Sequence, residues 1–121
     1  MRLMIVDDNG EMRSLVRMFA IHPGDAVQEC ASGEQAVALL GGFRPDVVLM
    51  DLQMPGVDGI ATTRVIKEFD SGIRVIVVTN FADDQSRKAA MQAGADAFVS
   101  KEDLAKLPAL LHRPDPTGPS P

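Results

Sequence analysis

Residues 47–55 read VVLMDLQMP, in which four apolar residues run straight into a carboxylate, Asp51, and a proline follows soon after. With Asp46 in front, DVVLMD (46–51) has apolar residues on both faces, the pattern of a central strand covered on both sides. IRVIVVT (73–79) repeats it. Two such strands need helices above and below the sheet, so the rest of the chain is read for helical spacing.

RLMIV (2–6) has strand length, and Met12, Leu15, Val16 and Phe19 then follow the i, i+3, i+4, i+7 spacing of a helix ending near His22-Pro23-Gly24. AVQEC (26–30) alternates like a half-exposed strand. Ser32 caps a helix carrying Ala36, Val37, Leu39 and Leu40, expected to stop at Gly41-Gly42. A turn containing Pro55-Gly56 leads to Asp58, the cap of a helix with Ile60, Thr63, Val65, Ile66 and Phe69, closed by Ser71-Gly72. Asp83-Asp84 starts a helix through Ala90, Met91 and Ala93 that ends at Gly94. ADAFVS (95–100) is the fifth strand, and a short last helix is expected from Glu102 to Leu111.

Five strands alternating with five helices predict an α/β fold: a doubly wound parallel sheet with right-handed crossovers, helices on both faces and strand order 2-1-3-4-5. In such sheets the ligand site lies beyond the carboxyl ends of the strands where the order reverses, here between strands one and three.

Composition sets outer bounds. A chain of 121 residues is sized for one domain, expected over 1–112, with the proline-rich RPDPTGPSP (113–121) as a disordered tail. Hydrophobic content of 45% with 24% charged residues suits a globular protein, and no apolar run is long enough to cross a bilayer. MRLMIVDDNG is too short in its apolar part for a signal peptide, and the single Cys30 fits a cytoplasmic location. A formal charge of -5 argues against direct nucleic-acid binding.

The topology gathers five polar residues on one rim: Asp7 and Asp8 after strand one, Asp51 after strand three, Thr79 ending strand four and Lys101 after strand five. Taken singly, each is ordinary: a helix cap, a turn acid, a strand residue, a solvated charge. Together they are not. Two like charges about 4 Å apart cost roughly 4 kcal/mol at an effective dielectric near 20, so three converging acids need a cation. Oxygen donors with no nearby His or Cys favour a hard ion, magnesium rather than calcium.

Over residues 2 to 111 the chain resembles the receiver domains of two-component response regulators, of flavodoxin-like (CheY-like) fold. The likeness rests on Asp7-Asp8, MDLQMPGVDG around Asp51, Thr79 closing IRVIVVT, and GADAFVSK ending at Lys101. It implies that Asp51 takes a phosphoryl group from a histidine kinase or histidine phosphotransfer protein. Asp8, Asp51 and the backbone carbonyl of Gln53 would hold Mg2+ directly, and Asp7 partly through water. Lys101 would pair with phosphoryl oxygens and Thr79 would hydrogen-bond one of them. Phe98 matches the aromatic that turns inward in response, reshaping a face of helix four, strand five and helix five; from strand pattern alone it is equally a core phenylalanine. That face, around Met91, Leu104 and Leu107, would dock a downstream protein or a second copy. The same resemblance implies a self-phosphorylating acceptor that loses its phosphoryl group, not a turnover enzyme.

Some positions depart from the family's common pattern. Asn80 replaces a small residue beside the pocket, and Glu102 replaces the proline often found after Lys101, so a trans peptide is expected there. Gln53 and Phe81 occupy positions that tune phosphoryl loss. His22 and His112 are expected in solvent, the methionines in packing, and Cys30 in a strand without chemistry. With no output domain legible after residue 112, a stand-alone receiver acting by docking is expected, with a piece cut from a longer chain as the alternative. A phosphate-independent interaction module and a phosphohydrolase of similar architecture are the competing functions. The phosphohydrolase lacks a second acid two residues after Asp51 and a glycine-rich phosphate loop.

Overall fold

The computed structural model describes residues 1–54, 58–80 and 83–111. The Pro55-Gly56 turn, Phe81, His112 and the proline-rich tail lie outside them. Five strands, β1 (Arg2–Val6), β2 (Ala26–Cys30), β3 (Val47–Met50), β4 (Arg74–Thr79) and β5 (Ala97–Ser100), form one parallel sheet in the order β2-β1-β3-β4-β5. Between them run α1 (Gly10–Ala20), α2 (Gly33–Phe43), α3 (Gly59–Phe69) and α4 (Asp84–Gln92). A 3-10 helix (Lys101–Lys106) and α5 (Leu107–Leu111) follow β5. The expected fold and strand order are therefore observed.

Strand pleating sorts the core into two layers. Leu3, Ile5, Val47, Leu49, Ile76, Val78 and Val99 point toward α1 and the C-terminal helices, where Val16, Ala20, Leu104, Leu107 and Leu111 meet them. Met4, Val6, Val48, Met50 and Val75 point the other way, onto Ala36 and Leu40 of α2 and Ile66 of α3. The three inner strands are buried on both faces almost throughout, whereas β2 and β5 are half-exposed edges, which is why only the former read as unbroken apolar runs.

Local departures have physical causes. α2 continues through Gly41 and Gly42 to Phe43, and the left-handed cap is Arg44 at φ 52°, whose N–H donates to the Leu40 carbonyl. Helical glycine costs about 1 kcal/mol, which tertiary contacts offset: Phe43 packs on the core and its ring lies 4.3 Å beneath the Arg2 guanidinium. On α1 the core-facing line is Met12, Val16 and Ala20, while Leu15 and Phe19 are turned partly to solvent.

The single last helix expected over Glu102–Leu111 is in fact broken. Pro108 has no N–H to offer the Leu104 carbonyl, which instead accepts from Leu107 in a 3-10 turn, and the α-helix starts afresh with proline in its first turn. The break also corrects the expected docking face. Leu104 (5% exposed) and Leu107 (0%) are core residues, because the tightened turn directs both onto α1 and the sheet; only Met91, 45% exposed, lies on the surface.

Leu107→Ala is therefore expected to destabilise the domain by about 2–5 kcal/mol in urea unfolding, and Met91→Ala by less than about 0.5. Comparable losses from the two variants would restore Leu107 to the surface.

Candidate phosphoacceptor site

Strand register brings the acids together before any side chain is considered. Val6 on β1 pairs with Met50 on β3, so Asp7 and Asp51 leave adjacent strands at the same height. The Asp51 N–H donates to the Val6 carbonyl (2.9 Å) and the Asp7 N–H to the Cys30 carbonyl (3.0 Å), carrying the ladder one residue past each strand. Thr79 pairs with Ser100, so Lys101 emerges just beyond the end of β4.

Asn9, not an aspartate, caps α1: its Oδ1 accepts from the Met12 N–H at 3.1 Å. Neither Asp7 nor Asp8 is spent on capping. The Asp7 Oδ1 accepts the Asn9 N–H (2.9 Å), which folds the chain into a tight turn and points the paired acids toward β3. Asp7, Asp8 and Asp51 each offer an oxygen within 4.8 Å of the others, Asp8 exposed and the other two buried.

Lys101 closes the arrangement. Its Nζ lies 2.9 Å from Asp7 Oδ2 and 3.5 Å from Asp51 Oδ2, with the side chain almost wholly buried. One ammonium therefore meets two of three clustered carboxylates, leaving an excess of negative charge. Burial pushes the Asp51 carboxyl above its ordinary range and the Asp7 charge pushes it further, while Lys101 and the Gln53 backbone N–H oppose the rise. Oxygen-only donors with uncompensated charge and an open side fit a hard divalent cation.

The acids open into a cleft of about 180 Å³ lined by Asp7, Asp8, Asn9, Asp51, Gln53, Asn80 and Lys101. Of the residues expected at the site, Thr79 is fully buried at the end of β4 and is not in this lining. Phe98 is half-buried against Leu52, Val77, Ala90 and Ala95, with the Arg87 guanidinium 5.9 Å from its ring. The described residues hold no cis peptide bond, so Lys101–Glu102 is trans as expected. Burial raises the Cys30 thiol to about 11, keeping it neutral.

Gly59, at the start of α3, is the last residue of MDLQMPGVDG, and its sequence position alone assigns it no role. A Cβ there would overlap the Asp51 carbonyl oxygen and stand 2.8 Å from Leu52 Cα, so only glycine lets α3 approach the backbone that presents Asp51. The glycine directly after the capping Asp58 was the available signal.

Because its native carboxyl titrates high, ionised Asp51 costs stability, and that cost grows as pH rises through its folded-state value. Asp51→Asn is expected to stabilise the metal-free protein at neutral pH by on the order of 1 kcal/mol, roughly 4 °C in Tm. The gain should vanish on acidification, once the wild-type carboxyl is protonated; a pH-independent difference in melting would contradict this origin. Gly59→Ala should lower Tm and displace the Asp51 and Leu52 amide resonances, and an unshifted spectrum would show that α3 can yield.

Comparison with known proteins agrees with the geometry. Residues 3–112 match the response regulator receiver domain family. The chain is 37% identical over 100 residues to chemotaxis protein CheY of Halobacterium salinarum, covering 83% of each. It is 31% identical over 121 residues to the transcriptional regulatory protein ResD of Bacillus subtilis, spanning 96% of this chain but only 50% of that one. Among solved structures, a two-component response regulator of the LuxR family from Aurantimonas superposes with a TM-score of 0.80 at 37% identity, over 88% of this chain and 78% of the other. Fold, acidic cluster and kinship converge, and the chain belongs to the response regulator receiver domain family, the CheY-like domains of two-component signal transduction.

Proposed function

We propose that Asp51 is the phosphoacceptor of a two-component phosphorelay, charged by a histidine kinase or histidine phosphotransfer protein in the presence of Mg2+. The observation that carries this is the buried carboxylate at the cleft, flanked by two further acids and met by a lysine at 3.5 Å. An Asp51 oxygen attacks the phosphorus of the donor's phosphohistidine as the P–N bond breaks; the imidazole leaves with the bonding pair and is protonated there. Asp8, Asp51 and the Gln53 carbonyl would hold the ion, with Asp7 acting partly through water. Magnesium, when bound, neutralises charge on the acids and the transferring group.

Lys101 has two roles in sequence. Before transfer it neutralises the acid pair it touches. Forming the acyl phosphate removes the Asp51 carboxylate charge and adds phosphoryl oxygens, which become the better partner for the ammonium. Thr79 donates its hydroxyl to a phosphoryl oxygen, and Phe98 couples that shift to α4 and β5. The output surface is the exposed part of α4, with Met91, beside β5 and α5, docking a downstream protein or a second copy. A preference of about 1–3 kcal/mol for one state is enough to shift the populations several-fold to a hundredfold. Asn80 and Gln53 line the cleft and, with Phe81, set access to the phosphoryl group and its lifetime. No helix of the described residues is long and apolar enough to cross a membrane, and an aqueous, cytoplasmic phosphorelay is the setting this function requires.

Incubation with Mg2+ and a small phosphodonor, followed by intact mass measurement, tests the assignment. Wild type should gain one phosphoryl group and Asp51→Asn none. No adduct with any donor would leave a phosphate-independent interaction module, whereas sustained phosphate release from a broad range of esters would mark a phosphohydrolase.

A further inference from the structure

We propose that Arg13 of α1 is a positioning residue for the magnesium-binding turn, held in that role by Glu29 on the edge strand β2. Arg13 Nη1 donates to the Asp7 carbonyl oxygen at 2.7 Å, and its Nε donates to Glu29 Oε1 at 3.0 Å. The other carboxylate oxygen of Glu29 accepts from Arg17 Nη1 at 3.3 Å, so Glu29 is itself held from two sides. This inference rests on magnesium binding at Asp7, Asp8 and Asp51.

The Asp7 carbonyl belongs to the peptide that joins the two acids, and its direction sets where the Asp8 side chain departs. It lies just past the end of β1, where the chain turns from the sheet toward the Asn9 cap. A charged donor at 2.7 Å fixes that peptide plane. The planar fork lets one guanidinium bond the turn through one edge and β2 through another, which an ammonium cannot reproduce in the same geometry. Gly10 leaves the guanidinium its space: a Cβ there would stand 3.3 Å from Arg13 Nη2.

An electrostatic role makes the opposite prediction. If the Arg13 charge mattered through space, removing it would make the cleft more negative and tighten magnesium binding, while removing Glu29 would weaken it. Pairing the two charges largely cancels their distant field, so loss of geometry should dominate. Removing supports of this kind typically weakens metal binding by 10–100-fold.

Calorimetric titration of Mg2+ into the metal-free full chain decides the matter, with the Asp8 and Asn9 amide resonances as a second readout. Arg13→Gln should bind about ten-fold more weakly and shift both resonances before any metal is added. Glu29→Ala should weaken binding in the same direction. Combined with Arg13→Gln it should add no more than about two-fold, because Glu29 acts only through Arg13. Wild-type or tighter affinity in Arg13→Gln, or additive losses in the pair, would overturn the proposal. If Arg13→Gln does not fold, Glu29→Ala alone decides by whether affinity falls with the resonance shifts. Asp8→Asn separates the premises: equal binding by it and wild type would remove the magnesium site and this inference with it. Binding by wild type, lost in Asp8→Asn but kept in Arg13→Gln, would remove this inference alone.

Discussion

The contact of the Lys101 ammonium with the Asp7 and Asp51 carboxylates is the constraint around which the site is organised. Two buried acids on neighbouring strands repel, and burial makes the Asp51 charge harder to sustain. A lysine at the end of the fifth strand relieves both costs. The acids come from the first and third strands, so this neutralisation exists only once the sheet has assembled from β1 to β5. The acidic cluster is thus among the most long-range features of the molecule, and its integrity reports on the whole fold.

A parallel sheet suits such a site because every strand ends at the same edge, and every crossover helix begins there. Asn9, Ser32, Asp58 and Asp83 each accept an N–H from the first turn of the helix they precede. Those caps satisfy the helix ends locally, so the clustered acids are left to face the cleft. Close approach of α3 through Gly59 and the Arg13 bond to the Asp7 carbonyl then set the backbone from which these acids project. One lysine balances only part of the local negative charge, so the cleft suits a cationic ligand.

Strands and helix starts were readable because their signals are local: a short apolar run, unbroken or alternating, or a short polar side chain that accepts an N–H three residues on. Helix ends were less readable. Gly41-Gly42 carries a strong stop signal, yet Phe43 finds a place in the core and under Arg2, and α2 runs on. Pro108 is a local signal that outweighed an otherwise helical pattern, and it turned Leu104 and Leu107 inward. On α1, Leu15 and Phe19 carry the right spacing for a core face, but the sheet accepts the neighbouring line through Val16 and Ala20. Hydrophobic period identifies an amphipathic helix; it leaves the rotation of that helix on the sheet to packing.

From its residues alone, this chain determined a five-stranded doubly wound sheet and the gathering of Asp7, Asp8, Asp51, Thr79 and Lys101 at one rim, because strand alternation and crossover handedness leave few other topologies. Tertiary structure alone decided which acids are buried, that Lys101 lies nearer Asp7 than Asp51, and that Arg13 reaches the Asp7 carbonyl while Glu29 holds its other edge. Those outcomes depend on distances between side chains arriving from different elements, and ångström-scale separation is not encoded in any local pattern.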